Sequence, residues 1–202
     1  MDEKGVLMGV GSRVKVICLR GRKSPPLIHG KFTTLFVLTL LKKPDGNRKT
    51  ITILETISAD GTVLPPMIIY KGIAQYKGWY QHLSIEDDDT IFCRSDKGWT
   101  NQILGVEYLK FLFNVQTAKR CYNQTETRLL IVDGHNSHFS NEFIDYCDDN
   151  NIQLFCLPPH STHVLQPLDV GLFGPLQTYY SKGVEEHMRL GQESINKATF
   201  LP

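Results

Sequence analysis

Three acidic residues stand where side chains can do chemistry. Asp133 directly follows the apolar run Leu129-Leu130-Ile131-Val132 and precedes Gly134. Catalytic groups in α/β sheets gather at the carboxyl ends of strands, and a glycine lets the chain turn away at once. Asp169 lies in Gln166-Pro167-Leu168-Asp169-Val170-Gly171, just before a helical stretch, and Asp2 lies in Met1-Asp2-Glu3-Lys4-Gly5. Singly, these are a strand-end turn, a helix cap and an acidic terminus, all common. Together they suit phosphodiester chemistry. Two cations about 3.5–4 Å apart can activate an attacking oxygen and stabilise a leaving one, if carboxylates converge to hold them. Magnesium takes oxygen ligands and keeps several waters, so two or three carboxylates suffice. No glycine-rich phosphate loop and no G-x-S-x-G elbow competes with this reading.

The histidines form a rival set. His135 and His138 make one H-x-x-H, and His160 and His163 another. With the aspartates they could ligate zinc. Neither pair lies on an evident helix, where two ligands would share a face, so the carboxylate reading is preferred. The histidines then serve as supporting donors or line a substrate groove.

The elements that must position these groups can be read from periodicity. Val14 to Cys18 is a short strand, followed by the basic turn Arg20-Gly21-Arg22-Lys23. Ile51 to Ile57 and Val63 to Tyr70 are β-rich and flank Asp60-Gly61, a hairpin signal. Pro65 and Pro66 put the second strand at a sheet edge or delay its start. Thr100 begins and caps a helix in which Ile103, Leu104, Tyr108, Leu112 and Val115 recur near helical spacing. Leu129 to Val132 reads as a strand buried on both faces, Ser140 to Asn150 as a helix with Phe143, Ile144 and Cys147 inward, and Ile152 to Leu157 as another buried strand. After Asp169 the chain turns helical, with Phe173, Leu176, Tyr180, Val184 and Met188 on one side and Pro175 in the first turn or at a kink. Strands followed by helix, strand, helix, strand and helix imply a mixed α/β sheet flanked by helices.

Bulk properties set limits. The 202 residues suit one domain, and 41% hydrophobic content supports a real core. Net charge is only +1, so the overall basic excess of a protein that grips DNA by itself is missing. DNA contacts would then be local, or supplied by another part. The cysteines Cys18, Cys93, Cys121, Cys147 and Cys156 are odd in number and form no C-x-x-C, which argues against a disulfide framework and a zinc ribbon. The first residues lack a secretory pattern, and the apolar run from Phe32 to Leu41 is far shorter than the roughly 20 residues of a membrane span. A soluble, intracellular protein is expected.

The chain resembles the catalytic domain of the pogo/Tigger branch of the mariner-type transposases. Asp2-Glu3-Lys4-Gly5 looks like the first acidic motif, Leu129 to His138 the second, and Leu157-Pro158-Pro159-His160-Ser161-Thr162-His163 through Gln166-Pro167-Leu168-Asp169-Val170-Gly171 the third. Ile53 to Gly61, Ile69-Tyr70-Lys71-Gly72 and Lys97-Gly98-Trp99-Thr100 match landmarks between them. The resemblance implies a ribonuclease H-like fold, Mg2+ or Mn2+, and DNA cleavage with strand transfer. Asp2, Asp133 and Asp169 become the catalytic, metal-binding triad. The implied partners are DNA, at transposon ends and target, and further copies of the chain. The implied compartment is the nucleus, and neither a membrane nor a small-molecule substrate is implied.

Departures shape the remaining expectations. Relatives carry a helix-turn-helix region upstream and continue downstream, so residues 1–202 are expected to form one catalytic domain cut short at both ends. Residues 30–43 have no recognised counterpart and are expected to be an insertion. With only Met1 ahead of it, Asp2 is expected to be loosely held and DNA cleavage by the chain to be weak or absent. The alternative reading is a non-enzymatic, domesticated DNA- or protein-binding remnant.

Overall fold

The computed structural model describes residues 1–8, 50–79, 89–123, 125–133, 140–158, 160–190, 195–197 and 199–200. The strand expected at Val14–Cys18, the basic turn after it, the insertion expected at 30–43, and His135 and His138 lie outside the described residues.

Four strands form one sheet in the order β1 (Asp2–Leu7), β2 (Thr50–Glu55), β3 (Met67–Lys71), β4 (Ile91–Ser95). The first two pairings are antiparallel, and β3–β4 is parallel. Threonine and isoleucine dominate β2, as a pleated, half-buried surface favours. Between β2 and β3 the chain turns at Asp60-Gly61, with Gly61 N–H donating to Ser58 O and an isolated bridge between Ile57 and Val63. β3 starts after the two prolines and is internal, so the sheet-edge placement is not the one found.

β5 (Arg128–Val132) and β6 (Ile152–Cys156) are a separate parallel pair, joined through α3 (Asn141–Asp149). The first long helical stretch comprises α1 (Gln102–Tyr108), a π-helical turn at Leu109–Phe113, and α2 (Asn114–Ala118). Its cap is Asn101 rather than Thr100: the Asn101 side chain accepts from Leu104 N at 2.9 Å. Ser140 caps α3 in the same way. A short α4 (Thr162–Leu165), a second π-helical turn at Leu168–Leu172, and α5 (Phe173–Arg189) complete the described elements.

Two cores cover the two faces of the four-stranded sheet. On one, Leu54, Met67 and Ile69 meet Leu104, Tyr108, Leu109 and Leu112, together with Phe143 and Cys147 of α3 and Leu130 and Val132 of β5. On the other, Val6, Ile51, Ile68 and Tyr70 meet Val184 of α5, Ile195 and Phe200. Helices thus flank the sheet on both sides. Arg128 ties the β5–β6 pair to the first core's helices, donating to Asn114 Oδ1 at 2.7 Å and Thr117 Oγ1 at 3.0 Å.

The strands β5 and β6 differ from the expected double burial. Leu130, Val132 and Ile152 are buried, but Leu129, Ile131 and Phe155 are 59, 38 and 52% exposed. The register pairs Leu129 with Gln153 and Ile131 with Phe155, so these residues share the face turned away from the first core. Ile144 of α3 also lies more outward than expected.

Gly98 closes the turn after β4 with φ +79°, and a Cβ there would come within 2.9 Å of Lys71 Cβ. Gly61 has φ +84° but open space around it. Gly98→Ala is expected to destabilise the fold by about 2 kcal/mol and Gly61→Ala by about 1 kcal/mol. Urea denaturation of the two variants measures this; equal losses would show that the contact with Lys71 does not constrain the turn.

Candidate functional site

The site is assembled around the backbone of Met1. Its nitrogen donates to Ile131 O of β5 at 3.0 Å, and its carbonyl accepts from Gln166 Nε2 at 3.0 Å. Each acidic residue lies one to three positions from one of these three partners: Asp2 follows Met1, Asp133 follows β5, and Asp169 follows Gln166 in the second π-helical turn. The two sheets, which share no ladder among the described residues, are joined at this point.

The charges of Asp169 and Asp133 are both felt at Asp2. Burial, joined by the charges of Asp169 and Asp133 and opposed by a hydrogen bond from Glu3 N, pushes the Asp2 carboxyl up to about 6. Asp133 also acts on the Met1 amino group, which burial lowers to about 6. Asp2 itself is only 6% exposed. Its strand pairs with β2 from its own position onward, and Glu55 stands directly opposite. The expected looseness of Asp2 is therefore not what the structure shows: β-pairing on one side and the Met1 bonds on the other hold it.

Asp133 is half-buried, and Asp169 is exposed. Asp169 sits inside the first turn of its helical stretch and is not the capping residue, a position that Pro167 takes. His160 has φ +61° and lies exposed in the turn after β6, and His163 is exposed on α4. Among the described residues, no three His, Cys, Asp or Glu side chains are grouped closely enough to hold a metal ion. This holds for His160 and His163 and equally for Asp2, Asp133 and Asp169. Asp2, Asp133 and Asp169 suit a divalent cation by donor type, all oxygen, but the three do not stand close enough together here to form a metal site.

Sequence reasoning missed three supports. Gln166 is 1% exposed, and its amide side chain is what fixes Met1. A glutamine beside an acidic motif gives no sign of a partner 165 positions away. Glu55 faces Asp2 only because of the strand register, and burial raises its carboxyl above the usual range. The Lys97-Gly98-Trp99 turn braces β1 from behind. Thr52 Oγ1 donates to Gly98 O at 2.6 Å, and the Trp99 ring lies over Gly5, where a Cβ would meet it at 3.0 Å.

A folded-state pKa raised from 3.8 to about 6 means that the folded protein holds a proton that the unfolded chain has lost. In metal-free protein, Asp2 thus withdraws stability as pH rises through the window from about 4 to 6. Asp2→Asn is expected to flatten the pH dependence in that window and to raise stability above it by about 1 kcal/mol. Denaturation in EDTA across this range tests it, and parallel curves for the two proteins would refute the placement of Asp2.

Comparison with known proteins agrees with this architecture. The family model described as DDE superfamily endonuclease matches residues 47–201. A protein of Cochliobolus lunatus named MFS-type transporter clz9 is 37% identical over 205 residues, which is 100% of this chain and 20% of that protein. The chain thus spans about a fifth of that relative, and no helix among the described residues is long and apolar enough to cross a membrane. The structure of the Mos1 transposase paired-end complex with left transposon end aligns with a TM-score of 0.52 at 14% identity, over 98% of this chain and 48% of that one. At that identity the likeness shows the fold: a mixed α/β, ribonuclease H-like sheet flanked by helices, as expected. With the family model covering most of its length, the chain belongs to the DDE superfamily endonucleases.

Proposed function

We propose that this chain is a transposase catalytic core that cleaves and joins DNA strands with a divalent cation. One observation carries the reading: Asp133 and Asp169, from separate motifs, both act electrostatically on the buried Asp2. Asp2, Asp133 and Asp169 would hold Mg2+ or Mn2+, which when bound supplies Lewis acidity toward phosphodiester oxygens. Asp2 provides the fixed carboxylate, pinned by β2 and by Met1. Asp133 and Asp169 provide the open side of the site, from which the DNA strand enters. The attacking group is water in cleavage and a DNA 3′-hydroxyl in transfer. The proposal includes DNA at transposon ends and target as partner, a homo-oligomer on that DNA, and action in the nucleus.

A second reading has one observation in its favour. No described group of three side chains is closed into a metal cage, as a non-enzymatic DNA- or protein-binding remnant would have it. Calorimetric titration with Mn2+, followed by cleavage assays on plasmid and terminal-repeat DNA, separates the two. The catalytic reading expects saturable Mn2+ binding that Asp133→Ala and Asp169→Ala weaken. It also expects cleavage that each substitution lowers by roughly two orders of magnitude or more. DNA binding with neither metal binding nor cleavage would establish the remnant.

A further inference from the structure

We infer that Lys4 is the phosphate-contacting residue of this site, a cation on the same strand face as Asp2 that meets the backbone of the bound strand. The inference rests on the catalytic reading above and names a contact to its substrate.

Side chains alternate along a strand, so Asp2, Lys4 and Val6 share one face of β1, about 6.6–6.8 Å apart in succession. Val6 places that face against α5, since it packs in the core that contains Val184. The β1–β2 register sets Lys4 opposite Ile53, with Glu55 beside it opposite Asp2. Lys4 is thus the next residue on the site's own face, between the carboxylates and the apolar core.

Its ammonium group is held in an unusual way for such a neighbourhood. Nζ lies 5.6 Å from the centre of the Phe173 ring. Phe173 is buried and comes one helical turn after Asp169, so the ring that carries Lys4 and the carboxylate of the third motif share one stretch of helix. A half-buried cation on the strand face of Asp2 and Glu55 would ordinarily be spent in an ion pair. Here the described contact is an aromatic face, which leaves the ammonium's hydrogen-bonding capacity for an anion. A phosphodiester entering among carboxylates needs such a cation, and a lysine acts on phosphate as a point charge without demanding a planar fork.

The test uses the full chain and a short fluorescein-labelled DNA duplex in Ca2+, with affinity followed as salt is raised. Removing one phosphate contact reduces the slope of log K against log salt by about 0.9. Lys4→Met, which keeps the aliphatic stem on Phe173, is expected to show that loss with thermal unfolding close to the parent, and Lys4→Arg is expected to restore the slope. Lys4→Gln serves in the same titration if Lys4→Met does not fold. A slope unchanged in Lys4→Met or Lys4→Gln overturns the inference and makes Lys4 a packing residue, while leaving the catalytic reading intact. Loss of Ca2+-dependent DNA binding in Asp133→Ala, with none in Lys4→Met, overturns it in the same way. If the parent chain shows no metal-dependent DNA binding, the catalytic reading fails and this inference with it.

Discussion

The site depends on one buried backbone unit. Met1 donates to Ile131 and accepts from Gln166, and through those two bonds the first strand, the fifth strand and the segment leading to α5 are fixed to each other. Buried polar groups must be paired, so the junction cannot be given up without leaving the Met1 amino group or carbonyl unsatisfied. Both bonds join residues more than a hundred positions apart, at the place where the four-stranded sheet and the β5–β6 pair come together. The first core glues the same two units by burial, but apolar packing has no direction. The junction supplies direction, and with it the relative placement of the elements that carry Asp2, Asp133 and Asp169.

That division explains which parts could be read from sequence. Two acidic motifs carry a local cue beside the carboxylate, an apolar run before Asp133 and a helical period after Asp169, whereas Asp2 stands out only through the family resemblance. The Asp60-Gly61 turn and the helix that follows Ser140 are local as well. The misreadings concern what lies opposite. An apolar run such as Leu129 to Val132 states that the strand is hydrophobic and leaves open how many faces are covered. In the structure only Leu130 and Val132 reach the first core, while Leu129 and Ile131 share an outward face with Phe155. Thr100 and Asn101 are both good caps by type; the extended conformation at Asn101 and its reach to Leu104 decided between them. Gln166 and Glu55 carry no local signal, because their roles come from register and long-range contact.

Electrostatics and packing oppose each other at Asp2. Burial, and the charges of Asp169 and Asp133, all disfavour its ionised form, and the hydrogen bond from Glu3 N only partly offsets them. A carboxylate so placed would relax toward solvent if its backbone were free. It is not free: β2 pairs with it from Asp2 onward, and Met1 is bonded on both sides. The fold therefore holds a charge where it is uncomfortable, which is a familiar property of groups placed for chemistry rather than for stability.

The rear of β1 shows how that rigidity is reached with few residues. Gly5 has no side chain, so the Trp99 ring can lie against the strand, and Thr52, its cross-strand partner, donates to the carbonyl of Gly98. Gly98 in turn presses on Lys71 at the end of β3, and Ser95 at the end of β4 hydrogen-bonds the Trp99 carbonyl. One turn thus touches the first four strands and braces β1 three residues from Asp2. The opposite face of the same short strand carries Asp2 and Lys4 against the α5 side. A strand six residues long cannot hold two charged groups in place by its own pairing alone. It can do so when one face is braced by an aromatic ring over a glycine and the residue before it, Met1, is bonded on both sides. The sequence pattern Asp-Glu-Lys-Gly is the local expression of that arrangement: charge forward at Asp2 and Lys4, clearance behind at Gly5.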